Sequence, residues 1–451
     1  MKRTYASFPI YDLQWIKRQL LTWALPFDTC CLLDNQGYPP GSSIHGQPPG
    51  SSFECLLAAG AIDTCSASAG SAFPRLRTWA AKHKDWLFGH FGYDLAVETE
   101  GLSLFAPQPQ NDEPGFPDLF FFVPEIVVLV QKDHLCIGSF HSDHSHIYQA
   151  ITGTVPAATA RLPSPIFTPR FTRDEYLSAV AALRAHILRG DCYEVNFCME
   201  FFTQAAYPDP LSAPAPRSGL DPLSVWWALS KASPNPFSAF YRLGDRYLFC
   251  ASPERFLRKK GNTLLSQPIK GTAPRNPGDP AADRRRSQAL QQSAKDRAEN
   301  VMVVDLVRND LSRVCVPGSV QVTELYGVYA FPQVYQMIST VAGEMLPGLD
   351  WTDAIRATFP MGSMTGAPKN SVIRLIARYE RSRRGLFSGA LGYVDPAGDF
   401  DFSVVIRSLL YNRRSRYLSY QVGSGITFYS DPAAEYEECL VKAEGIRKAF
   451  A

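Results

Sequence analysis

One lysine stands in a stretch of sequence whose neighbours can give it unusual chemistry. Lys270 lies in QPIKGTAPR at 267–275, shortly after Leu264 and Leu265 and directly before Gly271. A glycine beside a lysine lets backbone amides approach a bound anion, because no Cβ blocks the approach. A lysine at such a turn that is partly removed from water can lose its proton near neutral pH and act as a nucleophile. The same residues also occur in solvated loops, so the assignment depends on which other residues accompany Lys270.

Two pairs of acidic residues, each three apart on a predicted helix, form a second candidate group. A helix predicted from about 283 to 311 places Asp296 and Glu299 on one face. A second helix, with a proline in its first turn, places Glu435 and Glu438 on one face. Carboxylate oxygens suit Mg²⁺, which keeps some of its water and leaves room for a substrate carboxylate. The spacing also fits solvated helix faces, and it does not establish that the two helices meet.

The distribution of histidine limits the acid–base chemistry open to this region. All eight histidines lie at or before His186. An acid–base step among these motifs must therefore use carboxylate, lysine, tyrosine or water. The sequence contains no nucleophile elbow, P-loop or dinucleotide fingerprint. The run VGSGI at 422–426 predicts a glycine turn after a strand, which can cradle an anion.

Several helices and strands that must position these residues are visible in the pattern. Thr172 and Glu175 form a capping box before an apolar stripe that ends at Gly190, which predicts a helix. The first 150 residues indicate an α+β region, 151–170 a connector rich in Pro, Ala and Thr, and 171–451 the catalytic region. Predicted strands lie at 119–130 with a proline break, 237–241 and 247–251, and a proline-rich surface loop is predicted at 204–222.

Composition excludes several classes of function. The chain has 451 residues, of which 45% are hydrophobic and 20% charged, with a net charge of +2. Such a balance is typical of a soluble globular protein and gives no signal for a nucleic-acid partner. The ten cysteines form no C-x-x-C pair, which fits reduced thiols better than disulfides or a zinc site. No window approaches the roughly 18 apolar residues of a membrane span, and no signal peptide is evident. We expect a cytoplasmic protein with no membrane partner.

Together, these motifs resemble the chorismate-utilising enzymes, and within that family the branch of aminodeoxychorismate synthase component I. The resemblance covers about residues 170–450, and the first 150 residues match the family only loosely. It implies an α+β fold, a large antiparallel-sheet sandwich flanked by helices, like that of anthranilate synthase component I. The matching segments are GDCYEVN at 190–196, SPERF at 252–256, PIKGT at 268–272, VDLVRNDL at 304–311, FPMGSMTGAPK at 359–369, GALGY at 389–393, VGSGI at 422–426 and Glu435 to Lys442.

The resemblance implies a metal site. Glu299 and Glu438 are expected to be the main Mg²⁺ ligands, with Asp296 and Glu435 helping directly or through water. The metal is expected to hold the ring carboxylate of chorismate.

The resemblance also implies catalytic and substrate-binding roles. Lys270 is expected to attack ring C2 as the C4 hydroxyl leaves, and Glu254 to be the general acid that helps this departure. The positions expected to hold the substrate's carboxylates and enolpyruvyl group are Gly271, Thr272, Tyr393, Arg407, Gly423, Ser424, Gly425 and Lys442.

Three positions separate the branches of the family. Anthranilate synthases usually carry alanine where this chain has Lys270. Isochorismate and salicylate synthases carry a base lysine where this chain has Glu194, and Glu194 replaces the glutamine that is more common in the family. Gln336 stands where many relatives have a histidine, which in anthranilate synthases is linked to pyruvate elimination.

The resemblance therefore implies amination of chorismate at C4 to 4-amino-4-deoxychorismate, for 4-aminobenzoate and folate synthesis. The chain shows no glutaminase nucleophile motif, so ammonia is expected from a separate glutamine amidotransferase subunit. Two alternatives stay open: anthranilate synthase component I, and a catalytically silent chorismate-binding subunit.

Overall fold

Two large antiparallel sheets pack face to face, and helices cover the outer face of each sheet. The computed structural model describes residues 2–38, 53–102, 113–156, 158–160, 162–204 and 220–450. Most of the proline-rich loop predicted at 204–222 lies outside the described residues. The helix–sheet–sheet–helix layering confirms the predicted α+β sandwich flanked by helices.

The described residues form 22 strands and 11 α-helices. In chain order the strands are β1 (Thr4–Pro9), β2 (Thr29–Asp34), β3 (Cys55–Ala59), β4 (Asp63–Ala67), β5 (Leu87–Phe91), β6 (Leu119–Val123), β7 (Ile126–Val130), β8 (His134–Ser139), β9 (Thr168–Pro169), β10 (Glu194–Gln204), β11 (Phe237–Leu243), β12 (Arg246–Ser252), β13 (Arg255–Lys260), β14 (Thr263–Gln267), β15 (Ile269–Pro274), β16 (Gln321–Ala330), β17 (Val334–Glu344), β18 (Gly366–Ala367), β19 (Ala390–Val394), β20 (Phe400–Val404), β21 (Ser408–Asn412) and β22 (Tyr417–Ile426). The helices are α1 (Leu13–Ala24), α2 (Ala72–Ala80), α3 (Ala96–Thr99), α4 (His144–Gly153), α5 (Arg173–Leu188), α6 (Pro222–Ala232), α7 (Pro280–Gln292), α8 (Ala294–Ser312), α9 (Trp351–Thr358), α10 (Lys369–Tyr379) and α11 (Pro432–Arg447).

Each sheet mixes strands from both parts of the chain. The first, sheet A, runs β1-β8-β7-β3-β2-β11-β12-β21-β22-β10-β18, with β9 beside β10. The second, sheet B, runs β15-β17-β14-β13-β20-β19-β5-β6-β4, with β16 beside β17. The predicted strand at 119–130 is split at its proline break, so that β6 joins sheet B and β7 joins sheet A. The predicted division into an N-terminal region (1–150), a connector (151–170) and a catalytic region (171–451) stays a prediction.

Alternation of side chains along the strands builds the layers, because successive residues of a strand point to opposite faces. On β3, Leu57 packs among the helices that cover sheet A, whereas Leu56 points into the layer between the sheets. From sheet B, Phe122 enters that inner layer, and Phe121 packs among the helices on the far side.

The helices nearest the candidate site begin at clear capping residues. Thr172 and Glu175 form the predicted capping box of α5, and α11 begins at Pro432 as predicted. The single helix predicted from about 283 to 311 is wrong, because the structure has α7 and α8 with a break at Ser293. Ser293 has extended backbone and its hydroxyl accepts a hydrogen bond from the Asp296 amide, which starts a new helix.

None of the helices in the described ranges combines the length and the apolar character needed to cross a membrane.

Candidate active site

Lys270 lies on a strand at the edge of sheet B rather than in a turn, which corrects the sequence prediction. It belongs to β15, and the pairing of β15 with β17 shifts register between Ile269 and Thr272. Gly271, in this bulge, has a φ of 96°, and a Cβ added there would lie 3.1 Å from Oδ1 of Asp296. Only glycine therefore lets β15 bulge this closely against the first turn of α8.

Two buried polar side chains hold the backbone of Lys270 in place. Asn300 of α8 donates from Nδ2 to the Lys270 carbonyl oxygen at 3.4 Å. Ser339 of β17 donates from Oγ to Asn300 Oδ1 at 2.5 Å. The strand is thus fixed to both the helix that carries Asp296 and the neighbouring strand.

The side chain of Lys270 reaches across to sheet A and donates from Nζ to Oε1 of Glu194, the first residue of β10. The lysine side chain is 11% exposed and the glutamate 2%. Gly425 of β22 lies against both groups, because a Cβ there would be 2.8 Å from Glu194 Oε1 and 2.9 Å from Lys270 Nζ. We call the space bounded by β10, β22, β15, α8 and α11 the cleft.

The carboxylates around Lys270 favour its protonated form. Burial acts against its charge, but the charges of Glu194, Glu299 and Glu254 and the hydrogen bond to Glu194 outweigh burial, so the pKa of Lys270 is raised. The sequence predicted a lysine that loses its proton near neutrality. The structure differs because a carboxylate from the other sheet, invisible in the local sequence, is in contact with the amine.

Glu254 lies just before β13 and is buried, with 4% of its surface exposed. Its Oε1 accepts a hydrogen bond from Ser363 Oγ at 2.6 Å. Burial raises the pKa of Glu254 to about 7, while Ser363 and the charges of Lys270 and Arg407 hold it down. A carboxyl group with this pKa carries a proton for part of the time at neutrality, which is what a general acid requires.

Arg407 supplies a positive charge beside Glu254. Its backbone φ is 51°, an unusual conformation for a non-glycine residue. Burial lowers the pKa of Arg407 to about 10, against the charges of Tyr38 and Glu254. Within the parts of the chain that the structure describes, no carboxylate forms an ion pair with this guanidinium. A guanidinium fork without an ion-pair partner is suited to a substrate carboxylate.

One acidic residue of each pair, Glu299 on α8 and Glu438 on α11, faces the same space. Burial raises the pKa of Glu299 to about 7, with Glu194 and Asp296 adding to the effect. Burial also acts on Glu438, but the charge of its partner Lys442 prevails and the pKa of Glu438 is lowered. Lys270 and Lys295 both act on Glu299 and on Glu438, so the two helices converge on Lys270.

The four acidic residues differ in exposure. Glu435 is buried on the inward stripe of α11, whereas the Glu438 side chain is 47% exposed and lies 2.7 Å from Lys442 Nζ. Among the described residues, no group of three His, Cys, Asp or Glu side chains is arranged to hold a metal. The metal assignment of Glu299, Glu438, Asp296 and Glu435 therefore stays a prediction.

Residues 422–426 belong to the end of β22, so the predicted glycine turn is wrong and the segment is a strand. Gly423 pairs with Cys198 and Gly425 with Asn196 of β10. Lys442 Nζ donates to the Gly423 carbonyl oxygen at 2.8 Å, which ties α11 to this strand. Ser424 is buried, and its Oγ lies 3.3 Å from the Tyr176 hydroxyl.

Two predicted substrate positions lie in different places. Thr272 is on β15, two residues from Lys270, and pairs with Gln336 on β17. Tyr393 is on β19, and four strands separate β19 from β15 in sheet B. Its ring packs against Phe53, Trp86 and Phe88. The structure thus brings Thr272 close to Lys270 and places Tyr393 in the aromatic layer between the sheets.

Sequence reasoning missed the residues that connect the motifs. Ser363, whose hydroxyl donates a hydrogen bond to Glu254, lies 109 residues further along the chain. Arg384 donates to the carbonyl oxygens of Asn196 at 2.7 Å and Met364 at 2.6 Å, and so fixes β10 beside the segment of Ser363. Glu380 accepts from Arg384 and from the Cys198 amide. No local signal could identify these contacts, because each joins segments far apart in the chain.

Comparisons with known proteins identify the family of this chain. The family model of the chorismate binding enzyme matches residues 50–448. Aminodeoxychorismate synthase component 1 from Salmonella typhimurium is 36% identical over 360 residues, which cover 79% of this chain and 75% of the relative. The protein of the same name from Escherichia coli is 35% identical, covering 80% of this chain and 76% of the relative. Anthranilate synthase component 1 from Streptomyces coelicolor is 33% identical, covering 80% and 72%.

Solved structures share the fold. Anthranilate synthase component I from Streptococcus pneumoniae superposes with a TM-score of 0.73 at 25% identity, covering 87% of this chain and 91% of that one. The menaquinone-specific isochorismate synthase from Escherichia coli gives a TM-score of 0.73 at 17% identity, covering 100% and 95%, which supports the fold alone. Because the family model matches residues 50–448, which is most of this chain, the chain belongs to the chorismate-binding enzymes.

Proposed function

We propose that this chain is the chorismate-aminating component of an aminodeoxychorismate synthase, converting chorismate into 4-amino-4-deoxychorismate. The observation that carries the proposal is the position of Lys270, whose amine enters the cleft among Glu194, Glu254 and Glu299. The family resemblance adds that anthranilate synthases usually carry alanine at this position. Three relatives that carry the aminodeoxychorismate synthase name add support.

The chemistry assigns one role to each of two side chains. Glu254 gives its proton to the departing C4 hydroxyl, and a carboxyl group with a pKa of about 7 is suited to that task. Lys270 Nζ forms a bond to ring C2 as the C4–oxygen bond breaks. Ammonia then forms a bond to C4, and the bond between C2 and Nζ breaks to release the lysine.

The substrate is a dianion, and the cleft offers cations and backbone amides to hold it. Arg407 and Lys442 are the proposed partners of its carboxylates, because a guanidinium fork and an ammonium both pair well with carboxylate. Proposed contacts along the strands come from Gly271, Thr272, Gly423, Ser424 and Gly425. Tyr393 is proposed as a substrate contact on the family resemblance alone. Its ring lies in the aromatic layer between the sheets.

Carboxylates of α8 and α11 are proposed to hold a hard divalent cation. Glu299 and Glu438 would hold Mg²⁺, with Asp296 and Glu435 helping directly or through water. The proposal is supported by the charges of Lys270 and Lys295, which act on both Glu299 and Glu438. When bound, the ion would neutralise the ring carboxylate of chorismate.

Two further parts of the proposal concern partners. Ammonia is proposed to come from a separate glutamine amidotransferase subunit, and the product to enter 4-aminobenzoate and folate synthesis. The component 1 names of the relatives support the existence of a second subunit.

Turnover of the purified chain tests the proposal. Incubation with chorismate, Mg²⁺ and ammonium is expected to give 4-amino-4-deoxychorismate without pyruvate, identified by chromatography and mass. Anthranilate and pyruvate would instead assign the chain to the anthranilate synthases. Chorismate binding in a calorimeter without any turnover would identify a silent binding subunit.

A further inference from the structure

The contact between Glu194 and Lys270 has no role in the chemistry described above. It joins the first residue of β10 in sheet A to β15 in sheet B, across the cleft. A carboxylate at this position can accept a proton, which a side-chain amide cannot do in the same way. The inference that follows rests on the proposed function and adds a residue to it.

Comparison with a second glutamate on the same strand shows what is unusual about Glu194. Glu200 is also buried, and both of its oxygens have donors: Arg170 Nε at 3.0 Å and the Tyr417 hydroxyl at 2.9 Å. Glu194 has Lys270 on Oε1, while its buried Oε2 has no hydrogen-bond partner among the described residues. A purely structural buried carboxylate normally has both oxygens satisfied.

A buried lysine elsewhere shows the same difference. Lys369 donates to Asp310 at 2.6 Å and also to the Thr358 carbonyl oxygen at 3.3 Å. That pair belongs to a closed network with more than one acceptor. In the cleft, Lys270 has a single acceptor among the described residues, Glu194, and a Cβ at Gly425 would lie within 2.9 Å of both side chains.

Physical chemistry favours proton sharing within such a pair. Removing two opposite charges from water is costly, and their attraction offsets the cost only in part. Moving one proton from Nζ to Oε1 removes both charges at once and leaves the net charge of the cleft unchanged. It also produces a free amine without any exchange of protons with solvent.

We propose that Glu194 is the proton acceptor for Lys270, taking a proton from Nζ on Oε1 as the amine becomes the nucleophile. The free Nζ then bonds to ring C2, and the C4 hydroxyl leaves as water with the proton of Glu254. After ammonia has displaced the lysine, Glu194 returns its proton to Nζ. The new ammonium at C4 gives one proton to the Glu254 carboxylate, so every group regains its starting state.

Glu194 is the acceptor in contact with the Lys270 amine. Among the described residues, no other side chain accepts a hydrogen bond from Nζ of Lys270. The charged groups that act on Lys270, one from each surrounding element, are Glu194 of β10, Glu254 before β13, Glu299 of α8 and Glu438 of α11.

The test measures kcat for amination from pH 6 to pH 10 in the wild type, Glu194→Gln, Glu194→Asp and Glu200→Gln. Glutamine keeps the shape of Glu194 and removes the acceptor. All four proteins retain Glu254 and use the same ammonia. The pH dependence that Glu254 and free ammonia give to kcat therefore cancels when the variant kcat is divided by the wild-type kcat. Thermal unfolding of each variant reports whether the fold is retained.

We expect Glu194→Gln to lower kcat about 100-fold at pH 7, the low end of acid–base contributions. The ratio should then rise with pH, because solvent begins to remove the Lys270 proton. Glu194→Asp should be intermediate, and Glu200→Gln should have a ratio near one at every pH.

Two results overturn the inference while leaving the proposed function intact: a Glu194→Gln enzyme as active as the wild type at pH 7, or a lowered ratio that does not change with pH. A wild type that forms no aminated product defeats the proposed function and the inference together. If Glu194→Gln does not fold, the intermediate activity and rising ratio of Glu194→Asp decide the question.

Discussion

Two buried glutamates on β10, one at its first residue and one further along the strand, have opposite surroundings. Glu200 closes a network with Arg170 and Tyr417, and the Arg170 guanidinium also lies over the Phe202 ring. Glu194 meets one partner, Lys270, and keeps one oxygen unpartnered within the described structure. The difference separates a glutamate whose closed network stabilises the fold from one that is left open for the chemistry proposed above.

The backbone between the two glutamates is held by its own hydrogen bonds. Arg384 and Glu380 bind the backbone of β10 at Asn196 and Cys198, in the middle of the strand. A change at Glu200 should therefore not reach the cleft, and a change in the cleft should not loosen the network of Glu200.

Removing Lys270, the partner of Glu194, should have the largest effect on activity. Lys270→Ala should lower kcat by more than about 10⁴-fold, beyond what one proton-transfer group contributes, because the nucleophile itself is lost. Far-ultraviolet circular dichroism should show the fold retained. The matched control is Lys259→Ala, another strand lysine whose partner Asp399 lies 3.1 Å away, outside the cleft. Unchanged turnover in Lys270→Ala would remove the nucleophile role.

How much of this site the sequence could predict depends on how far apart in the chain the contacting residues lie. Local signals predicted α5 through its capping box and α11 through Pro432, and the family was predicted correctly from its motifs. The break at Ser293 was missed, although Ser293 and Asp296 have the spacing of a capping signal. The pairing of Lys270 with Glu194 joins two sheets and residues 76 apart, and no local pattern encodes such a contact.

Weakening the proposed metal site should have the next largest effect. Glu299→Gln should raise the Mg²⁺ concentration for half-maximal activity by at least about 100-fold, since even residues behind direct ligands cost 10- to 100-fold. Titration of Mg²⁺ into the apoenzyme by calorimetry checks this without turnover. Asp305→Asn, on an exposed face of the same helix, is the control and should leave the affinity unchanged. Equal Mg²⁺ affinity in the Glu299 variant would contradict the assignment.

A smaller effect should come from the donor to Glu254. As a general acid Glu254 acts only while protonated, so wild-type activity should fall as pH rises through about 7. Ser363→Ala removes a hydrogen bond that stabilises the carboxylate, so the pKa of Glu254 should rise. The alkaline limb of the kcat profile should then move upward by about one pH unit, given the usual strength of a bond to a charged group. A limb that moves downward would exclude Glu254 as the acid.

The smallest effect on activity should come from the closed network around Glu200. Glu200→Gln should lower the free energy of unfolding by about 1–3 kcal/mol, because Arg170 loses a charged partner and is only partly buried. The measurement is urea denaturation, with kcat as the parallel readout. A large loss of kcat with unchanged stability would show that Glu200 and Glu194 are not independent.

Intact-protein mass spectrometry after rapid quenching tests the central claim most directly. With chorismate and Mg²⁺ but no ammonium, the wild type should gain the mass of chorismate less one water, and peptide mapping should place it on Lys270. Lys270→Ala should gain nothing. A wild type that aminates chorismate when ammonium is present, yet forms no adduct without it or forms one on another residue, would contradict the account.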